Sequence, residues 1–192
     1  MDAVRNSRNL LPLLTLVTAL AAVGCNDTTG LNNWDATPDT VTLYSASRAE
    51  LSGLQSGFDF TSPRAVIVES VSTAEGFDFV VTDQGGSFLL MPSGALLAQS
   101  NRAGLAKVPA TDLTSIRQAP SDTAAFEQKV AVPVQPGDFL VVRSRRVSCL
   151  LSTASYYAKM QVVSVDPVGG TLRFAYARNP FCSDQSLVPP GS

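Results

Sequence analysis

The chain has 192 residues, 45% of them hydrophobic and 16% charged, with three cysteines and no histidine. That hydrophobic share supports a packed core, and a net charge of −2 leaves no electrostatic footprint for nucleic acid or an anionic membrane surface. The missing histidine excludes Ser-His-Asp and Cys-His nucleophile systems, His-ligated zinc or non-haem iron, and His-ligated haem.

Arg5 and Arg8 precede an apolar run from Leu10 to Val23 that Pro12 interrupts. The run is shorter than the ~20 helical residues that cross a hydrocarbon core and suits the apolar stretch of a secretory signal. It leads into Ala22-Val23-Gly24-Cys25, which resembles the lipobox of bacterial lipoproteins, with Ala22 where that motif usually has Leu. Residues 1–24 are therefore expected to be a lipoprotein signal peptide, and Cys25 the lipidated residue of the mature chain. An ordinary secretory signal with a coincidental cysteine is the alternative. One acyl chain anchors only marginally, at ~0.8 kcal/mol per buried methylene, so two or three chains on Cys25 would hold the protein at a membrane. Asn26 rather than Asp follows the cysteine, which by analogy favours the outer over the inner membrane of a bacterial envelope.

With Cys25 lipidated, Cys149 and Cys182 remain as an even pair in an oxidising compartment, where a disulfide is expected and two free buried thiols are the alternative. The bridge closes a loop of roughly 34 residues and would stabilise by about 3–4 kcal/mol on chain-entropy grounds. Two cysteines without histidine are too few for zinc.

Residues 25–38, rich in Asn, Asp, Thr and Gly, read as a lipidated flexible tether, with Trp34 tucked onto the domain edge. Thr40-Val41-Thr42-Leu43-Tyr44 alternates with period two and predicts a half-buried strand. Ser47-Arg48-Ala49-Glu50 has capping-box spacing ahead of Leu51 and Leu54, so a short helix or turn is expected. Further strands are predicted at 65–69, 77–82, 88–91, 95–99, 130–134, 139–145, 156–165 and 171–178. Turn chemistry separates them at Gln84-Gly85-Gly86, Pro92-Ser93-Gly94, Gln135-Pro136-Gly137 and Asp166-Pro167-Val168-Gly169-Gly170. Asp112 to Gln118 admits a further short helix.

Many short strands without βαβ alternation predict an all-β domain over residues 39–192. The expected form is a single antiparallel sandwich or partly closed barrel with one or two short helices. Phe139-Leu140-Val141-Val142 is apolar on both faces, as a central strand requires. Leu172, Phe174 and Tyr176 share one face of the last strand. If the last three strands form a meander, the 148–154 connection and the chain after Arg178 lie at one end, where Cys149 and Cys182 meet.

No Gly-x-Ser-x-Gly elbow, Ser-x-x-Lys dyad, P-loop or glycine fingerprint is present, so a non-enzymatic protein is expected. Asp59 and Asp78 have the residue type of a glycosidase couple, but nothing in the sequence brings them together, and turn or strand-edge duty is expected. Arg143, Arg145 and Arg146 form a positive cluster, with Arg143 and Arg145 on one strand face. They suit either a bound carboxylate or a solvated sheet face.

Gly76-Phe77-Asp78-Phe79-Val80-Val81 resembles the Trp-Asp-apolar-x-Phe segment of the HmuY-like haem-binding lipoproteins. Asp138-Phe139-Leu140-Val141-Val142-Arg143, Tyr157-Ala158-Lys159-Met160 and Thr171-Leu172-Arg173-Phe174-Ala175-Tyr176 are similar to that family's closing strands. The resemblance covers roughly residues 76–178. It implies an outer-membrane lipoprotein that captures haem in an all-β fold and passes it to a transporter. Phe77 stands where the family usually has Trp, and Arg146 to Ser155 is an insertion. The best-known members ligate iron with two histidines, which this chain lacks. Some relatives use methionine, which would make Met91 and Met160 the haem ligands here, a thioether pair suited to reduced iron. Core packing is the competing role for both. Two functions therefore stand side by side: binding of haem or another hydrophobic ligand, and a structural or protein- or glycan-interaction module of the envelope without a cofactor.

Overall fold

The computed structural model describes residue 34 and residues 37–69, 76–97, 103–149 and 152–190. The expected signal peptide, Cys25 and most of the tether lie outside the described residues. Trp34 is half-buried.

Among the described residues twelve strands follow in chain order: β1 (Asp39–Tyr44), β2 (Gly57–Asp59), β3 (Arg64–Val66), β4 (Phe79–Gln84), β5 (Ser87–Pro92), β6 (Gly104–Lys107), β7 (Val132–Val134), β8 (Phe139–Arg143), β9 (Val147–Cys149), β10 (Ser152–Ala154), β11 (Tyr157–Asp166) and β12 (Thr171–Arg178). The fold is all-β. One five-stranded antiparallel sheet has the order β1-β12-β11-β8-β6, a second has the order β3-β2-β4-β5-β7, and β9 and β10 form a separate hairpin. The two large sheets pack as a sandwich, and no barrel closes.

Side-chain alternation makes the sandwich. Leu140 and Val142 of β8, Ala158, Met160 and Val162 of β11, and Leu172, Phe174 and Tyr176 of β12 all face inward from the first sheet. Phe58, Phe79, Val81, Phe88 and Leu90 meet them from the second. The ring of Phe58 lies 5.3 Å from Phe174 and 5.0 Å from Tyr176, both edge-on, so aromatic contacts join the sheets. The opposite residues of β8, Phe139 and Val141, are buried too, beneath Leu113, Ile116, Phe126 and Leu187. That second covering explains why β8 is apolar on both faces.

The structure differs from the sequence reading at several elements, and β2, β6, β9 and β10 are strands that reading did not predict. The strand expected at 95–99 is not formed over its described residues, 95–97; Ser93–Leu96 forms one helical turn, α1, closed by Leu97 N–H donating to Ser93 O at 2.8 Å. The short helix or turn expected after Ser47 is present as a single 3₁₀ turn, Ala49–Leu51, but Ser47 does not cap it: its hydroxyl donates to Asp83 O at 2.9 Å. At 112–118 the Asp112 carboxylate takes Thr114 Oγ1 (2.6 Å) and Ser115 N–H (2.8 Å), a local turn that competes with helix. β8 stops at Arg143 rather than continuing to Arg145.

Candidate functional site

Just beyond β8 the chain leaves the sheet. Ser144 N–H donates to Tyr156 O at 2.8 Å, and Ser144 Oγ accepts from Tyr156 N–H at 2.9 Å, so a narrow neck leads into the β9–β10 hairpin. This turn sends Arg145 inward and leaves Arg143 and Arg146 outside it.

Arg145 enters a buried ionic cluster. Its Nη1 donates to Asp59 Oδ1 at 2.8 Å and its Nη2 to Asp59 Oδ2 at 3.1 Å, a two-pronged grip. Its backbone N–H donates to Asp78 Oδ1 at 2.7 Å, and Nη1 approaches the same oxygen at 3.4 Å. Phe60 N–H donates to Asp78 Oδ2 at 2.6 Å. Thr61 completes the network, its hydroxyl donating to Asp59 Oδ1 at 2.6 Å and accepting from Arg145 Nη2 at 2.9 Å. Asp59 ends β2 and Asp78 precedes β4 in one sheet, whereas Arg145 follows a strand of the other. Arg178, at the end of β12, adds a parallel tie by donating to the Phe60 and Thr61 carbonyls at 3.2 and 3.1 Å.

Burial dominates at Asp78 and pushes its carboxyl up to about 6, against the pull of the Arg145 N–H and charge. Asp59 is also desolvated, but hydrogen bonds from Arg145 and Thr61 outweigh that and hold its carboxyl below the ordinary carboxylate value. Every carboxylate oxygen has a donor. The two acids are thus an inter-sheet lock, and the expectation of mere turn or strand-edge duty for Asp59 and Asp78 is corrected. The sequence shows both acids and the arginine, but not that β8 ends two residues early and turns Arg145 between them.

Beside the lock lies an open cleft of about 410 Å³. Arg143 and Arg146 line it with Gln128, Ser155, Tyr157 and Ser183, and no Asp or Glu belongs to its lining. The Arg143 guanidinium sits 5.1 Å from the Phe126 ring centroid, and Arg146 Nη2 donates to Thr153 O at 2.9 Å. Neither arginine forms an ion pair with a described residue. Phe126 reaches this position because Gly104 is bare: a Cβ there would lie 2.7 Å from Phe126 Cβ.

Cys149 and Cys182 form a disulfide with Cα atoms 6.4 Å apart. The bond fastens β9 to the segment after β12, and Ser183 N–H donates to Ser155 O at 2.9 Å alongside it. The two walls of the cleft are therefore tied together.

The structure does not bring Met91 and Met160 together. Met160 is 0% exposed and belongs to the inter-sheet core. On β5, Phe88 and Leu90 face that core, so alternation turns Met91 to the sheet's other side, opposite Val80 in register. Val80 packs there with Val66 and Phe77 in a separate cluster. A shared iron between the two thioethers would require β5 to lie in the opposite register. Among the described residues no group of three His, Cys, Asp or Glu could hold a metal ion, and no helix is long and apolar enough to cross a membrane. No protein-family model, curated protein or solved structure matches the chain.

Proposed function

We propose that the chain is an envelope lipoprotein, anchored through lipid on Cys25, whose all-β domain is a non-enzymatic binding module that recognises its partner at the surface. The observation that carries this reading is the placement of the methionines. Met160 is sealed in an aromatic-rich core and Met91 stands across the second sheet from it. That placement favours surface recognition of a protein or glycan over enclosure of haem between the sheets. The arginine-lined cleft gives such recognition a location, and the inter-sheet lock beside it supplies a rigid support.

Haem titration of the purified protein tests the choice. No Soret shift is expected in oxidised or dithionite-reduced samples, and a saturable low-spin spectrum abolished by Met91→Ala would restore the haem reading. Membrane fractionation tests the anchor: Cys25→Ser should release the protein or leave an uncleaved precursor. A processed variant that still sediments with membranes would refute lipid attachment.

A further inference from the structure

Of the three arginines at positions 143, 145 and 146, only Arg145 is matched to carboxylates of its own chain. We propose that the cleft bearing the other two binds the carboxylate of an acidic sugar residue. The proposal rests on the surface-binding reading above and adds the ligand class.

Two guanidinium groups in one concavity are an unusual concentration of unspent donors. The Arg143 guanidinium lies over the Phe126 ring and donates no hydrogen bond to a described residue, so its N–H groups are free for a ligand in the cleft. Arg146 commits Nη2 to Thr153 O and retains Nε and Nη1. Planar forks of this kind match a carboxylate by paired, charge-assisted hydrogen bonds. The lining contains no Asp or Glu that would compete for them.

The rest of the wall selects the body of the ligand. The Gln128 amide and the hydroxyls of Ser155, Tyr157 and Ser183 both donate and accept, which suits a polyhydroxylated ring better than an apolar molecule. A volume of about 410 Å³ falls within the usual range for small-ligand sites and accommodates one or two sugar residues. The Cys149–Cys182 bond and the Ser183–Ser155 hydrogen bond fix opposite walls before any ligand arrives, which lowers the ordering cost of binding.

Calorimetric titration of the purified full-length protein, held in detergent, provides the test. The probes are a disaccharide ending in glucuronate, the neutral disaccharide of the same linkage, and a tripeptide with a free C-terminal carboxylate. Saturable binding of the uronate alone is expected, weakening as salt is raised. Arg146→Gln, at an exposed position, should raise its Kd about tenfold, and Arg143→Gln similarly, the loss of one charge-assisted contact. Circular dichroism checks that each variant is folded, and Arg146→Gln alone decides the matter if Arg143→Gln is not. No saturable uronate binding, equal binding of the neutral sugar, tighter binding of the tripeptide, or undiminished affinity in Arg146→Gln would overturn the proposal. Each of these failures leaves the Soret titration unaffected, so the ligand class and the broader reading fall separately.

Discussion

Asp78 and Asp83 stand at the two ends of one strand, β4, and each is held by an arginine from a distant part of the chain. Asp78 is 0% exposed, and desolvation, the largest influence on it, drives its carboxyl up to about 6. Asp83 receives Arg48 Nε on Oδ1 and Arg48 Nη2 on Oδ2, both at 2.9 Å, and that pairing holds its carboxyl down to about 2. The same residue type with the same kind of partner thus shifts in opposite directions. What differs is water: a carboxylate that keeps some solvent gains from its arginine, whereas one sealed between sheets spends most of that gain offsetting lost hydration.

The largest effect should come from removing the cation at the sealed end. Arg145→Met leaves Asp59 and Asp78 buried without their guanidinium, which costs about 3–5 kcal/mol. For a domain of this size the melting point should fall on the order of 10 °C. Differential scanning calorimetry at pH 7 reads it, and a fall of only a degree or two would show that the lock contributes little.

A smaller, pH-selective effect separates the two acids. The folded protein holds the Asp78 proton more tightly than the unfolded chain does. Its contribution is therefore fully present below the ordinary value of 3.8 and is lost as pH rises through about 6. Asp83 runs the other way, contributing above 3.8 and losing that contribution as pH falls through about 2. Urea midpoints of wild type and Asp78→Asn should diverge in favour of wild type as pH drops from 7 to 4. Those of wild type and Asp83→Asn should stay parallel over that range and converge only below it. Parallel curves for Asp78→Asn would mean that its carboxyl titrates normally.

The smallest effect belongs to Arg48→Ala, which should lower the melting point less than Arg145→Met. It should also shrink more in 1 M NaCl than the Arg145→Met deficit, because salt screens a part-buried pair whose carboxylate keeps 9% exposure more than one whose carboxylates keep 2% and 0%. Equal salt sensitivity of the two variants would erase the distinction between the ends of β4.

Much of the sandwich is legible in the sequence because its longer strands either alternate or run apolar between marked turns. β1 and β12 alternate, whereas β4 opens on Phe-Val-Val and β5 carries Phe-Leu-Leu-Met, apolar runs set off by the turns at Gln84-Gly85-Gly86 and Pro92-Ser93-Gly94. β2, a Gly-Phe-Asp tripeptide, and β6, Gly-Leu-Ala-Lys, are too short to show a period, yet Phe58 of β2 is central to the aromatic core. The disulfide is legible from cysteine parity and the end-to-end logic of a meander. The lock is not. Spacing puts Arg145 on the same face as Arg143 only while the strand persists, and β8 ends where Ser144 turns to Tyr156. The apartness of the two methionines is half legible: alternation along Phe88-Leu89-Leu90-Met91 already opposes Met91 to Phe88 and Leu90, but only the sheet order shows which side holds the core.

The order of the first sheet also sets a sequence of events in time. β1 pairs with β12 from Asp39 opposite Tyr176 to Tyr44 opposite Thr171, so the first of the described strands has as its neighbour the last of them. A chain delivered from its N-terminus holds β1 unpartnered until nearly every other residue has arrived, and such distant pairing slows folding. Completion of the sheet therefore reports that the whole domain has been delivered, and a chain cut short before β12 would leave its first strand exposed and ready to pair with a neighbour.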